Sequence, residues 1–186
     1  MFTGSAAVGL ALHKQYADIP QKILALEMGG NNPLVVWDAP DVYAAAIIAV
    51  QSAFLSAGQR CTAARRLIVQ DGAHEELIAN VCKIAERLIV AEPHATPAPF
   101  MGPVIDNEAA DHLQESFLAL MMKGGRPIKH LDRPVDTRPF LSPAVIDVTA
   151  VEQRPDAELF GPILQVIRVP DFEAAIAEAN ATRYRH

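Results

Sequence analysis

Two short stretches carry side chains able to do covalent chemistry. The first, "AGQRCTAARR" (Ala57 to Arg66), holds Cys61, one of two cysteines in the 186 residues. Gly58 ends a long apolar run, so the thiol is expected on a bend just past a helix end. Arg60, Arg65 and Arg66 crowd it in sequence with positive charge, which favours the thiolate, the reactive form. On residue type alone, a small buried apolar group is the commoner use of a lone cysteine. Cys82 falls on the apolar face of a helical pattern and reads as core. The second stretch, "LEMGGNNP" (Leu26 to Pro33), puts Glu27 at the end of a β-run. A carboxylate at the mouth of a sheet can act as a general base, although a solvated strand end is the more common use. Gly29 and Gly30 behind it let another element approach closely.

Two further stretches could bind rather than react. In "FTGSAAVG" (Phe2 to Gly9), a β-run and a glycine lead to Ser5, well placed as an N-cap, and then a helix. A helix N-terminus suits phosphate. The spacing from Gly4 to Gly9 matches neither the Walker pattern nor the usual dinucleotide fingerprint. In "ELFGP" (Glu158 to Pro162), an acid and an aromatic two residues apart could clasp a ribose, on what is otherwise ordinary turn chemistry.

The elements that must position these groups alternate. Helical patterns run over Ser5 to Ala17, Asp41 to Ala57, His74 to Val90, Asp106 to Gly125 and Asp171 to Asn180, with Asp38 or Asp41 capping the second. Strand patterns run over Lys22 to Met28, Pro33 to Asp38, Arg65 to Asp71, Pro143 to Val148 and Pro162 to Val169. "AEPHATPAPFMGP" is a Pro-rich surface loop. Such alternation predicts an α/β fold with a mostly parallel sheet and flanking helices.

Composition narrows the function. At 51% hydrophobic the chain can bury a core, and a net charge of −6 with no basic stripe gives no footprint for nucleic acid. The longest apolar stretch, Ala44 to Val50, falls far short of a membrane helix. No basic-then-apolar leader follows Met1, and two cysteines are too few for a disulfide scaffold, so a cytoplasmic protein is expected. The six histidines show no metal-ligand spacing, and no metal is expected. None lies in a motif-like setting, so a thiol hydrolase using Cys61 would lack its base.

In order, "FTGS", "LEMGG", "GQRC" and "ELFGP", with 34 residues from Glu27 to Cys61, resemble the aldehyde dehydrogenase superfamily over nearly the whole chain. The wording at Met28 and Asn31-Asn32 resembles members that act on the 5-semialdehyde of N-succinylglutamate, in arginine breakdown; another semialdehyde is the alternative. The resemblance implies that Cys61 is the nucleophile that attacks the aldehyde, that hydride passes to NAD, and that Glu27 activates the water that hydrolyses the resulting thioester. It implies cofactor contacts from Gly4, Ser5, Ala6, Ala7, Val8 and Gly9, and ribose contacts from Glu158 and Phe160. The Cys61 N–H would help hold the oxyanion.

By the same resemblance, residues 1–26 are the tail of an NAD-binding, Rossmann-like domain, and residues 27–186 are most of the catalytic domain. The segments that bind adenine and pyrophosphate, and an Asn side chain that completes the oxyanion hole, would lie upstream. "ANATRYRH" departs from the family at Arg185 and His186, which implies truncation at both ends and leaves an inactive fragment as the alternative. The full-length parent is expected to be a homo-oligomer whose only other partner is a small-molecule aldehyde.

Overall fold

The computed structural model describes residues 1–184, and the departure read at Arg185 and His186 lies outside the described residues. A small parallel sheet pairs β1 (Phe2–Gly4) with β2 (Leu26–Met28), joined through α1 (Ala6–Gln15), with Thr3 opposite Glu27. The expected strand from Lys22 is shorter by four residues, because β1 is three residues long and offers no further ladder. Ile23 within that stretch is almost fully exposed.

The larger sheet contains β3 (Asn32–Val36), β4 (Ala64–Gln70), β5 (Arg126–Lys129), β6 (Ala144–Asp147) and β7 (Ile163–Val169), in the spatial order β3-β4-β7-β6-β5. The first four run parallel, and β5 pairs antiparallel with β6. The mostly parallel α/β fold read from the alternation is the fold observed. Ala64 to Val69 of β4 are all buried, as in a central strand covered on both faces. Both edge strands contain a proline, Pro33 in β3 and Pro127 in β5, where a missing N–H disturbs the ladder least.

Four helices cover this sheet: α2 (Val42–Phe54), α3 (Glu75–Glu86), α4 (Asn107–Met122) and α5 (Phe172–Asn180). Asp41, Asp106 and Asp171 cap three of them, accepting from the N–H of Ala44, Ala109 and Ala174 at 2.9, 2.8 and 2.8 Å. Of the two cap candidates for α2, Asp41 is therefore the cap. Ala46, Ala49, Val50, Ala53 and Phe54 of α2 enter the core with Leu77, Ile78, Val81 and Ala85 of α3, and Cys82 packs against it. Four helices end before their patterns do, α1 at Gln15 and α4 at Met122 among them. α3 stops at Glu86, and Val90 leaves to bridge Met101. α2 stops at Phe54, because Ser56 and Ala57 adopt left-handed conformations (φ 59° and 54°) in a tight turn over Leu55–Gly58. Among the described residues, no helix is long and apolar enough to cross a membrane.

Candidate active site

Residues from all four stretches line one cleft of about 640 Å³. Taken in chain order, Gly4 and Ser5 come from the first, Glu27 and Gly29 from the second, Cys61 from the third, and Glu158 and Phe160 from the fourth. Ser5 caps α1, its hydroxyl accepting from the Val8 N–H at 3.4 Å. Ala6, Ala7, Val8 and Gly9 do not line the cleft. The first three are exposed on α1, and Gly9 is buried.

Glycines lock the four stretches together. A Cβ at Gly9 would overlap Met28 Sδ, which fastens the first stretch to the second. A Cβ at Gly29 (φ +44°) would lie 2.7 Å from a Glu158 carboxylate oxygen, which fastens the second to the fourth. A Cβ at Gly58 (φ +69°) would overlap the Gly161 carbonyl, which fastens the third to the fourth. The close approach anticipated behind Glu27 is thus made by Glu158.

The bend that carries Cys61 is strained and held from several sides. Three successive residues, Ser56, Ala57 and Gly58, have positive φ, and two of them bear a Cβ, a backbone state that persists only where its surroundings enforce it. Gln59 provides much of that enforcement. Its amide nitrogen donates to the Ser56 and Pro103 carbonyls at 3.2 and 3.3 Å, and its oxygen accepts from the Ile105 N–H at 2.9 Å. Arg60 donates to the Ser52 carbonyl at 2.9 Å, near the end of α2. Asn32 Nδ2 donates to the carbonyls of Cys61 and Ala63 at 2.5 and 3.0 Å. Cys61 itself is half-buried and is not in a disulfide.

The family model for the aldehyde dehydrogenase family matches residues 1–186. The chain belongs to the aldehyde dehydrogenase family. It is 66% identical over 184 residues to an N-succinylglutamate 5-semialdehyde dehydrogenase from Sphingopyxis alaskensis, covering 99% of this chain and 38% of that protein. It is 62% identical over 184 residues to one of the same name from Novosphingobium aromaticivorans, covering 99% of this chain and 39% of that protein. The chain therefore spans less than two fifths of the length of these curated relatives. Among solved structures, betaine aldehyde dehydrogenase from Staphylococcus aureus in complex with NAD+ superposes with a TM-score of 0.84 at 26% identity, covering 98% of this chain and 37% of that one.

In this aldehyde dehydrogenase chain, the three arginines near Cys61 do not act alike. Arg66 turns away, donating to the carbonyls of Asn31, Glu178 and Ala179 at 3.0, 2.7 and 3.0 Å. Neighbours in a strand point to opposite faces, so Arg65 and Arg66 in β4 could not both serve one site. Arg65 stays at the site, 1% exposed, with its guanidinium 5.5 Å above the Phe160 ring and 4.0 Å from the Glu158 carboxylate. Burial draws its pKa down to about 10, against the opposing pull of Glu158. Burial, with Glu86 nearby, pushes the Cys82 thiol up, which favours its protonated form over the thiolate. Asn32 was legible only as part of a motif. That its amide would hold the Cys61 loop has no signal in the local sequence, because the contact joins two strands through the fold. Among the described residues, no group of three His, Cys, Asp or Glu side chains is placed to hold a metal ion.

Proposed function

We propose that the protein carrying this chain oxidises N-succinylglutamate 5-semialdehyde to N-succinylglutamate with NAD, a step of arginine breakdown. The observation that carries the proposal is the convergence of Gly4, Ser5, Glu27, Cys61, Glu158 and Phe160 on one cleft. Support for the substrate comes from the names of the relatives 66% and 62% identical to the chain.

Cys61 is the nucleophile in this proposal. An aldehyde has no leaving group, so a tetrahedral adduct must form before hydride can depart, and a thiolate is suited to forming it. The C–S bond forms as the carbonyl electron pair moves onto oxygen, where the Cys61 N–H helps to hold it. Loss of hydride leaves a thioester on Cys61. Glu27, the exposed middle residue of β2, takes a proton from water. The water oxygen adds to the thioester carbon, the C–S bond breaks, and the acid leaves as the thiolate returns.

The residues present fit a nicotinamide dinucleotide on two counts. The α1 N-terminus reaches the cleft at Gly4 and Ser5, where a helix favours an anionic group. The Glu158 carboxylate can accept from ribose hydroxyls beside the Phe160 ring, which is 45% exposed. When bound, the nicotinamide supplies the hydride acceptor. Residues 1–26 would be the end of the dinucleotide-binding domain and residues 27–186 most of the catalytic domain, in a cytoplasmic homo-oligomer.

The test is kcat/KM of the intact protein for N-succinylglutamate 5-semialdehyde, succinate semialdehyde, glutamate semialdehyde and betaine aldehyde, each with NAD and NADP. At least ~10-fold preference for the first aldehyde and for NAD is expected, the scale that one well-used specificity contact supplies. Preference for another aldehyde overturns the substrate. A Cys61→Ser variant that still reduces NAD at the parent rate overturns the nucleophile.

A further inference from the structure

Both peptide groups that flank Cys61 are held by side chains. Asn32 holds the carbonyl on the far side, and Arg65 Nη2 donates to the Arg60 carbonyl at 3.0 Å on the near side. The Arg60 carbonyl and the Cys61 N–H belong to one planar peptide group, so fixing the oxygen fixes the direction of the N–H. The other arm of the guanidinium, Nη1, donates to the Gly161 carbonyl at 3.3 Å. Gly161 follows Phe160, whose ring lies under the same guanidinium, and Glu158 faces it at 4.0 Å. One buried cation thus spans the peptide leading into Cys61 and the stretch holding Glu158 and Phe160. Burying a cation is costly, and lysine would carry the same charge. What arginine adds is a planar fork able to reach two carbonyls at once.

We propose that Arg65 is a positioning residue that aims the Cys61 N–H at the oxygen that becomes negative when a carbonyl carbon bonds to Cys61 Sγ. By accepting into the guanidinium, the Arg60 carbonyl also polarises its peptide group and strengthens that N–H as a donor. The inference rests on the proposed function only in taking Cys61 as the nucleophile.

Two reactions of Cys61 separate this role from a merely structural one, and neither needs a dinucleotide. With p-nitrophenyl acetate, the thiolate adds to the ester carbonyl, the carbonyl oxygen becomes negative, and collapse expels p-nitrophenolate to leave acetyl-Cys61. With iodoacetamide, sulfur displaces iodide at a saturated carbon and no oxyanion forms. Both rates are measured on the intact protein at their pH-independent plateaus, so that any change in thiolate fraction drops out, with the modified residue located by mass spectrometry. Arg65→Met is expected to slow acetylation of Cys61 about 10-fold or more, a fraction of the ~10²–10³ lost with a whole oxyanion donor, and to leave alkylation within about 2-fold. Arg65→Lys keeps the charge and serves if Arg65→Met does not fold, with acetylation slowed in the same direction and alkylation again unchanged. Equal slowing of both reactions, or of neither, overturns the proposal. Parent protein that is never acetylated at Cys61 overturns the nucleophile reading and this inference together, a result distinct from either.

Discussion

Asn32 Nδ2 donates to the Cys61 carbonyl at 2.5 Å and to the Ala63 carbonyl at 3.0 Å, so the first residue of β3 holds the loop that enters β4. Pro33, next in β3, has no N–H, and the register between the two strands shifts at that point. The amide of Asn32 supplies donors where the ladder cannot. Asn32→Ala is therefore expected to leave two carbonyls without this partner and to cost about 1–3 kcal/mol, read from urea unfolding, with a fall in the rate at which Cys61 reacts. Asn32→Asp sets an acceptor against the same two oxygens and is expected to cost more. A variant as stable and as reactive as the parent would show that the loop is held without Asn32.

Gly58 is the tightest joint between the Cys61 bend and the stretch holding Glu158. A methyl group there would meet the Gly161 backbone, which has no rotamer to yield, at a φ that already disfavours a side chain. Gly58→Ala is expected to destabilise by about 2–4 kcal/mol, combining the left-handed penalty with overpacking. Gly161→Ala makes a useful contrast. Its methyl would press on the Leu113 side chain rather than on backbone, so the cost is expected to be smaller. Thermal unfolding of the two variants checks the order, and a reversal would mean that the bend moves readily.

Which parts were legible follows from where each signal lies. Helices capped by Asp41, Asp106 and Asp171 and strands buried on both faces announce themselves locally, through a cap and an unbroken apolar run. β5 does not, because "RPIK" has two charges and a proline in four residues and is a strand only through its pairing with β6. The left-handed pair Ser56-Ala57 is hidden for a related reason: neither residue type announces a positive φ, and only Gly58 beside them does. The candidate site was legible as four ordered strings, each weak alone. That they share a cleft depends on contacts such as Gly29 with Glu158, 129 positions apart in the chain, which no local pattern encodes. The same limit explains Arg66, placed near Cys61 by sequence and on the opposite face by strand geometry.

Asp147, at the end of β6, gives a pH signature. Burial acts to raise its pKa, and hydrogen bonds from Arg168 at 2.8 Å and from the Thr149 N–H at 2.9 Å outweigh it, so the carboxyl titrates below its ordinary range. A folded-state pKa below the unfolded one means that the unfolded chain binds protons first as pH falls. The stabilisation is therefore fully present above the ordinary carboxylate pKa of about 3.9 and is lost as pH drops through the folded value. Arg168 also pairs with Glu75, so β6, β7 and α3 share this network. Asp147→Asn keeps the shape and removes the charge. It is expected to lower stability by about 1 kcal/mol at pH 7, a scale set by hydrogen bonds to a partly screened charge. The gap between parent and variant should close as pH falls from 5 to 3, read from urea midpoints at fixed ionic strength. A gap that stays constant across that range would show that the carboxylate charge contributes nothing to this corner of the sheet.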